Sequence, residues 1–387
     1  SSSFNIYDSD DQLRLMKAVL ADNNWLPKEI AGVQVRPQTL AKRYLRLFEQ
    51  AKLRPRRYEE ICSYVDEQGD YIQNPKVEPV DVFATYSRRL KAANAIDFND
   101  IINYTVHLWE DHPEVLQYWQ RKFQYVMVDE YQDTNPAQYQ LLRLLAGPRR
   151  NIMVVGDDDQ SIYAFRGADV ENVTNFQRDF EAKLVRLEQN YRSVGNVIAC
   201  ANAVIENNPS RLTKTMWTEA EDGALIQTIE PSRHVGFPDE RWEAKEVCKK
   251  IRDYMDMGFS LSDMAIIYRT NASALIYEKA IRENRFDYEM IGSFKFYDRQ
   301  EVKDVLSFVK LLTNPYDEVS FQRAITTPKR GIGPKSLAQI FTLARDENQS
   351  YILAAYDWGG RGRGKARKAA QEFAQVISDM YSLAQDC

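Results

Sequence analysis

Val128-Asp129-Glu130-Tyr131-Gln132-Asp133-Thr134 closes an apolar run, Tyr125-Val126-Met127-Val128, and this junction decides how the chain is read. A helical pattern follows over Ala137–Ala146, and a second apolar run, Ile152-Met153-Val154-Val155, ends in Gly156-Asp157. A third, Leu184–Leu187, ends in Glu188-Gln189-Asn190. Strands that alternate with helices and end in polar residues predict a parallel α/β sheet with its ligand at the carboxyl edge. Adjacent Asp and Glu delivered into such a cleft suit nucleoside triphosphate hydrolysis. Asp129 would help to hold Mg²⁺ through its water shell, and Glu130 would take a proton from the attacking water. A bare Asp-Glu pair is more often an acidic turn after a buried strand; the whole seven-residue string argues otherwise.

A second string stands just past the next run: Val155-Gly156-Asp157-Asp158-Asp159-Gln160-Ser161-Ile162-Tyr163-Ala164-Phe165-Arg166-Gly167-Ala168. Gln160 is placed to orient water or touch a terminal phosphate. Tyr163 and Phe165 sit two apart among polar neighbours, beside Arg166. Paired aromatics next to a basic residue make a stacking platform for unpaired bases, worth roughly 1–3 kcal/mol per base. The plainer alternative is that the two rings pack between domains.

A length of 387 residues suggests two to four domains, and 44% hydrophobic with 28% charged residues is the balance of a globular protein with real cores. No apolar run is long enough to span a membrane, and Ser1-Ser2-Ser3-Phe4 is not a signal peptide. Cys62, Cys200, Cys248 and Cys387 are scattered, which fits unpaired thiols in a reducing compartment, and the histidines lie apart from them, so no zinc site is expected. A net charge of −5 does not advertise a nucleic-acid partner, although a local basic channel can hold DNA on an acidic protein. Basic clusters occur late, at Lys329-Arg330 with Lys335 and at Arg361, Arg363, Lys365, Arg367 and Lys368; charge alone favours solvated faces.

The first ~95 residues read as helices, at Asp8–Asp22 (stripe Leu13, Met16, Leu20), Thr39–Ala51, Val80–Ala95 and Phe98–Leu108. A second alternating block starts near Gly195. Its expected helices are Asn196–Glu206, Trp242–Met255 and Ser273–Glu283, and its expected strands Ala224–Ile229, Met264–Tyr268 and Tyr288–Ile291. From Arg299 onward the pattern is helical, broken by Gly331-Ile332-Gly333 and Gly359–Gly364.

Leu187-Glu188-Gln189-Asn190-Tyr191-Arg192-Ser193 makes the pattern specific. The three strings, in this order, resemble motifs II, III and IV of UvrD/PcrA/Rep-like superfamily 1 DNA helicases. The resemblance extends to Ile6–Leu13, Ala265–Asn271, Phe294–Asp304 and Thr327–Gly333, and so covers essentially the whole chain. It implies RecA-like parallel-sheet cores of the P-loop NTPase type with all-helical inserted domains. The implied division is residues 1–96, helical insert of the first core; 97–190, first core; 191–292, second core; 293–387, helical insert of the second.

The resemblance also implies roles. Asp129 and Glu130 would serve Mg²⁺ and the catalytic water, and Gln160 would sense the γ-phosphate. Arg192 would reach that phosphate as an arginine finger, with Tyr191 stacked on the adenine. Tyr163 and Phe165 would stack on single-stranded DNA; the family usually shows Trp at the second position, so Phe165 would grip a base less strongly. Arg269 and Asn271 are candidate strand contacts. Lys329, Arg330, Gly331 and Gly333 would meet duplex phosphates near the start of the helix Pro334–Ala344. The implied cofactors are ATP and Mg²⁺, the implied partners single-stranded DNA, single/double-strand junctions and repair or replication proteins, and the implied location the cytoplasm, at the nucleoid in a bacterium.

A Walker A loop, G-x-x-x-x-G-K-[ST], does not precede Asp129 in these residues. Gly359, Gly364 and Lys365 fit its spacing, but Ala366 lacks the hydroxyl and a helix-like stretch precedes it. The expectation is therefore the central portion of a 3′→5′ DNA helicase, inactive in ATP hydrolysis by itself. The alternative is a non-catalytic DNA-binding or interaction module built on helicase parts.

Overall fold

The computed structural model describes residues 4–30, 32–163, 167–169, 171–208, 214–229, 240–291 and 299–385. Phe165 and Arg166, and residues 294–298 of the Phe294–Asp304 stretch, lie outside the described residues. The chain divides into two compact units. One joins residues 1–186, 210–213 and 303–387; the other joins 187–209 and 214–302.

The first unit opens with β1 (Asn5–Ile6) and α1 (Ser9–Asp22), a hairpin of β2 (Glu29–Ile30) and β3 (Val33–Gln34), then α2 (Pro37–Lys52), α3 (Tyr58–Gln68) and α4 (Pro79–Ala92). β4 (Ala95–Ile96) pairs in parallel with β1, so the opening segment is not purely helical as its periodicity suggests. Asp8 caps α1 by accepting from the N–H groups of Asp10 and Asp11 at 2.9 Å. The buried stripe of α1 is Leu15, Met16, Val19 and Leu20, shifted from the expected Leu13 by packing against α2 and α4. Phe48 meets Phe83 edge-on at 5.0 Å and lies 5.8 Å from Tyr86, filling the centre of this core.

α5 (Phe98–Asp111) is capped reciprocally by Asp97 and Asp100. Both carboxylates also receive Lys52 at the end of α2, at 2.5 and 2.8 Å, in a site nearly closed to solvent. After α6 (Pro113–Lys122) come β5 (Val126–Val128), α7 (Pro136–Ala146) and β6 (Ile152–Val154). β5 and β6 pair in parallel, Val126 opposite Ile152 and Val128 opposite Val154, as the two apolar runs require. One sheet face packs on Tyr131, Tyr139 and Phe176, the last from α8 (Glu171–Phe180). Met127 and Met153 lie on the other face and are exposed.

In the second unit α9 (Gly195–Ile205), α10 (Glu240–Asp256) and α11 (Asn271–Glu283) fall where periodicity puts them. The expected strands do not form a ladder: among the described residues only one parallel bridge, Gln189 with Trp217, joins extended segments there. Leu184–Leu187, ahead of it, is likewise unpaired as a strand. An apolar run becomes a strand only where a neighbouring edge takes its backbone groups. Here Leu187, Leu225, Ile267 and Ile291 stay exposed instead.

α12 (Gln300–Thr313), α13 (Glu318–Thr326), α14 (Pro334–Asp346), α15 (Tyr351–Gly360) and α16 (Lys365–Gln385) complete the chain. Their core gathers Phe321, Ile325, Ile340, Phe341, Trp358 and Phe373. Among the described residues no helix is long and apolar enough to cross a membrane.

Candidate nucleotide and nucleic-acid site

β5 ends at Val128, so Asp129 and Glu130 emerge at the carboxyl edge of the two-stranded sheet, and both are exposed. Glu130 has φ 49°, in the left-handed region that a residue with a side chain enters at a cost. Its N–H donates to the Asp129 carboxylate at 2.9 Å, and the kink turns the chain into the short 3₁₀ turn Tyr131–Asp133. Backbone bonds then hold this turn against the neighbouring strand end. Tyr131 N–H donates to Val155 O at 3.0 Å, and Val155 N–H to Val128 O at 2.8 Å. Tyr131 is itself anchored edge-on against Phe176 at 5.4 Å.

Gln132 follows, and it is 1% exposed. Its Nε2 donates to Glu130 Oε2 at 2.8 Å, and its Oε1 accepts the Asp157 N–H at 3.0 Å. Its backbone carbonyl accepts the Ser161 hydroxyl at 3.3 Å. Gly156 is required by this arrangement, since a Cβ there would stand 2.6 Å from Gln132 Oε1 and 3.1 Å from Tyr131 N. Sequence reasoning did not single out Gln132. No single-sequence signal marks its amide as buried, although its place two residues past Glu130 set it beside the chemistry.

The loop after β6 organises around Asp157, whose carboxylate accepts from Asp159 N–H at 3.0 Å and from Gln160 Nε2 at 2.8 Å. Gln160 is exposed at the same strand edge as Glu130. Tyr163 is partly buried and its carbonyl accepts the Ala168 N–H at 3.3 Å. The pairing of its ring with Phe165 lies outside the described residues. For Mg²⁺ the donor chemistry fits: the exposed Asp129 and Glu130 offer hard carboxylate oxygens at a strand edge.

Residues 1–181 match the UvrD/REP helicase N-terminal domain, and residues 185–362 match the UvrD-like helicase C-terminal domain. The chain is 44% identical to an ATP-dependent DNA helicase PcrA of Staphylococcus epidermidis over 302 residues, 77% of this chain and 40% of that protein. It is 38% identical to the proteins of that name from Bacillus subtilis and Staphylococcus aureus over 384 residues, 98% of this chain and 49% of each relative. This chain belongs to the UvrD/PcrA-like superfamily 1 helicases. It spans 40–49% of the length of these relatives. The family has RecA-like P-loop cores, to which the β5–β6 parallel pair conforms.

The helicase residues expected from motif IV lie in the second unit. Tyr191 is 86% exposed, and its hydroxyl donates to Gln189 Oε1 at 2.7 Å. Arg192 is exposed, and Asn190 Oδ1 accepts the N–H groups of Arg192 and Ser193 at 2.9 and 2.8 Å, fixing the turn that presents both side chains. Arg269 is exposed, and Asn271 starts α11.

In the turn before α14, Lys329 is exposed and Gly331 needs its glycine, with φ 76°. Gly333 caps α14 in an extended conformation, with no atom near where a Cβ would sit. Ile332 is buried and pins the turn to the helical core. Arg330 is placed differently from the expectation of a phosphate contact. Its Nη1 donates to the carbonyls of Ala324, Ile325 and Pro328 at 2.8, 3.2 and 3.1 Å, and its guanidinium lies 5.1 Å from the Phe373 ring. Burial pushes its pKa down. In the other basic cluster, Arg361 pairs with Glu347 at 2.7 Å, and Arg367 covers the Trp358 ring and donates to its carbonyl.

Proposed function

We propose that this chain is part of an ATP-dependent 3′→5′ DNA helicase, acting on single-stranded DNA and single/double-strand junctions in repair or replication. One observation carries the reading: Glu130 stands in a left-handed turn at the β5 edge, bonded through Gln132 to the loop that presents Gln160 and Tyr163. The name shared by the relatives, ATP-dependent DNA helicase, supports it. Residues 1–96 and 293–387 would be the helical inserts of two RecA-like cores at 97–190 and 191–292.

Within this reading Asp129 holds the metal's water shell and Glu130 accepts the proton of the attacking water. Bound Mg²⁺ would neutralise charge on the transferred phosphoryl group. Gln160 orients at the terminal phosphate, Arg192 stabilises the charge that develops there, and Tyr191 covers the base of the nucleotide. Tyr163 and Phe165 give unpaired bases a stacking surface, with Arg269 and Asn271 along the strand. Lys329, with Gly331 and Gly333, faces duplex phosphates, while Arg330 shapes that turn.

The test is ATP turnover of the full-length protein with and without single-stranded DNA, together with unwinding of duplexes bearing a 3′ or a 5′ tail. Stimulated turnover and a preference for the 3′ tail are expected. DNA-independent turnover, or a preference for the 5′ tail, would overturn the proposal.

A further inference from the structure

The buried carboxamide of Gln132 touches the two working parts of the edge at once. Its donor end is spent on Glu130 Oε2 and its acceptor end on the Asp157 N–H, at 2.8 and 3.0 Å. Its own carbonyl holds Ser161, so both ends of the loop 157–161 are fastened to one residue. An amide is the side chain that can do this, because it offers a donor and an acceptor on one rigid plane. A carboxylate could keep the Asp157 contact but would face Glu130 with a second acceptor. Gly156 removes the one Cβ that would displace the amide. The loop leads directly to Gln160 and Tyr163, so Tyr163 has a route of chain and hydrogen bonds to Gln132 through Ser161 and Asp157.

We propose that Gln132 is a positioning residue that aims the Glu130 carboxylate and passes the state of the base-stacking loop to it, thereby coupling strand occupancy to hydrolysis. The proposal rests on the ATP-driven reading above. General-base catalysis depends on aim as well as basicity, since a misplacement of about 1 Å costs on the order of 100-fold in rate. Gln132 is buried behind Glu130 and has no proposed contact with phosphate or base, so nucleotide and strand affinities should be kept when it is changed.

Gln132→Ala and Gln132→Glu separate this role from a purely structural one. In the full-length protein, DNA-stimulated kcat should fall at least about tenfold in both variants, with KM for ATP and single-strand Kd within about threefold of the parent. Hydrogen exchange at the Asp157 amide should accelerate in Gln132→Ala and stay slow in Gln132→Glu, which keeps the acceptor. Loss of turnover despite a protected loop is the signature of positioning. If Gln132→Glu turned over like the parent, the amide would only hold the loop and the proposal would fall. A raised KM at unchanged kcat would also overturn it, by assigning Gln132 to nucleotide binding. Should Gln132→Ala not fold, the Gln132→Glu arm decides alone. A parent protein without DNA-stimulated turnover would sink the motor reading itself, a result separate from any difference between variants.

Discussion

Tyr7 donates its hydroxyl to Asp317 at 2.6 Å across 310 residues of sequence, and neither side chain is exposed to solvent. Asp317 also accepts from Asn5 Nδ2 at 2.5 Å and from the Ser320 hydroxyl and N–H at 2.6 and 3.1 Å, so one buried carboxylate joins β1 to the start of α13. Burial, and then the charge of Asp317, push the Tyr7 hydroxyl well above the ordinary tyrosine range. Tyr7→Phe should therefore destabilise the chain by about 1.5–3 kcal/mol, the range for a hydrogen bond to a charged group. Asp317→Ala should cost more, because it leaves the buried donors of Asn5, Tyr7 and Ser320 without an acceptor, at about 1–3 kcal/mol for each one left unsatisfied. Urea unfolding at neutral pH measures both; a Tyr7→Phe loss below about 0.5 kcal/mol would contradict the assignment.

Alkaline pH should weaken the same unit. Burial alone would lower the Lys52 ammonium, but Asp97 and Asp100 outweigh it and hold Lys52 above the ordinary lysine range. Burial raises the Tyr44 hydroxyl to about 12. In both cases the folded state keeps protons that the unfolded chain releases near pH ~10. Their contributions are complete below that value and are lost as pH climbs toward the folded values. The urea midpoint should decline from about pH 10 upward, and less steeply in Tyr44→Phe; a midpoint flat to pH ~11 would contradict this.

Lys329 and Arg330 should behave differently although they are neighbours. Lys329→Ala should reduce affinity for duplex DNA and lower the salt slope by about 1, as loss of one phosphate contact does. Arg330→Ala should lower stability by about 1–3 kcal/mol, since carbonyls at the end of α13 lose their shared donor. Arg330→Lys should not restore it, because an ammonium lacks the planar fork. Equal salt-slope changes in the two alanine variants would return Arg330 to the phosphate.

Removal of the Tyr163 ring should weaken single-strand binding by about 1–3 kcal/mol, and Phe165→Ala should do likewise. The loss should persist at raised salt, because stacking releases no counterions. Fluorescence anisotropy with a labelled oligonucleotide at two salt concentrations reads this. Unchanged affinity in the double variant would give the rings to interdomain packing.

Much of the fold is legible in the sequence. β5 and β6 follow from two apolar runs, α5 and α7 from helical patterning, and Asp129 and Glu130 from a string that ends a strand. The runs at Ala224–Ile229 and Met264–Tyr268 were misleading because composition specifies an apolar segment but not the neighbouring edge that makes it a strand. For Arg330 the sequence leaves the role open, because charge in a glycine-containing turn looks the same whether it faces phosphate or the three carbonyls that Nη1 meets here. Gln132 and Asp317 were missed for a related reason: burial of a polar side chain depends on partners that are distant in sequence, and only the fold brings them together.

Glu130 is proposed as the proton acceptor of an ATP-driven motor. Glu130→Gln in the full-length protein keeps the shape of the side chain and removes its basicity. The measurement is single-strand-stimulated ATP turnover beside equilibrium ATP binding in the same preparation. The expected result is a fall in kcat of at least about 100-fold with ATP affinity within about threefold of the parent. Turnover that survives, or affinity that falls in step with turnover, would contradict it.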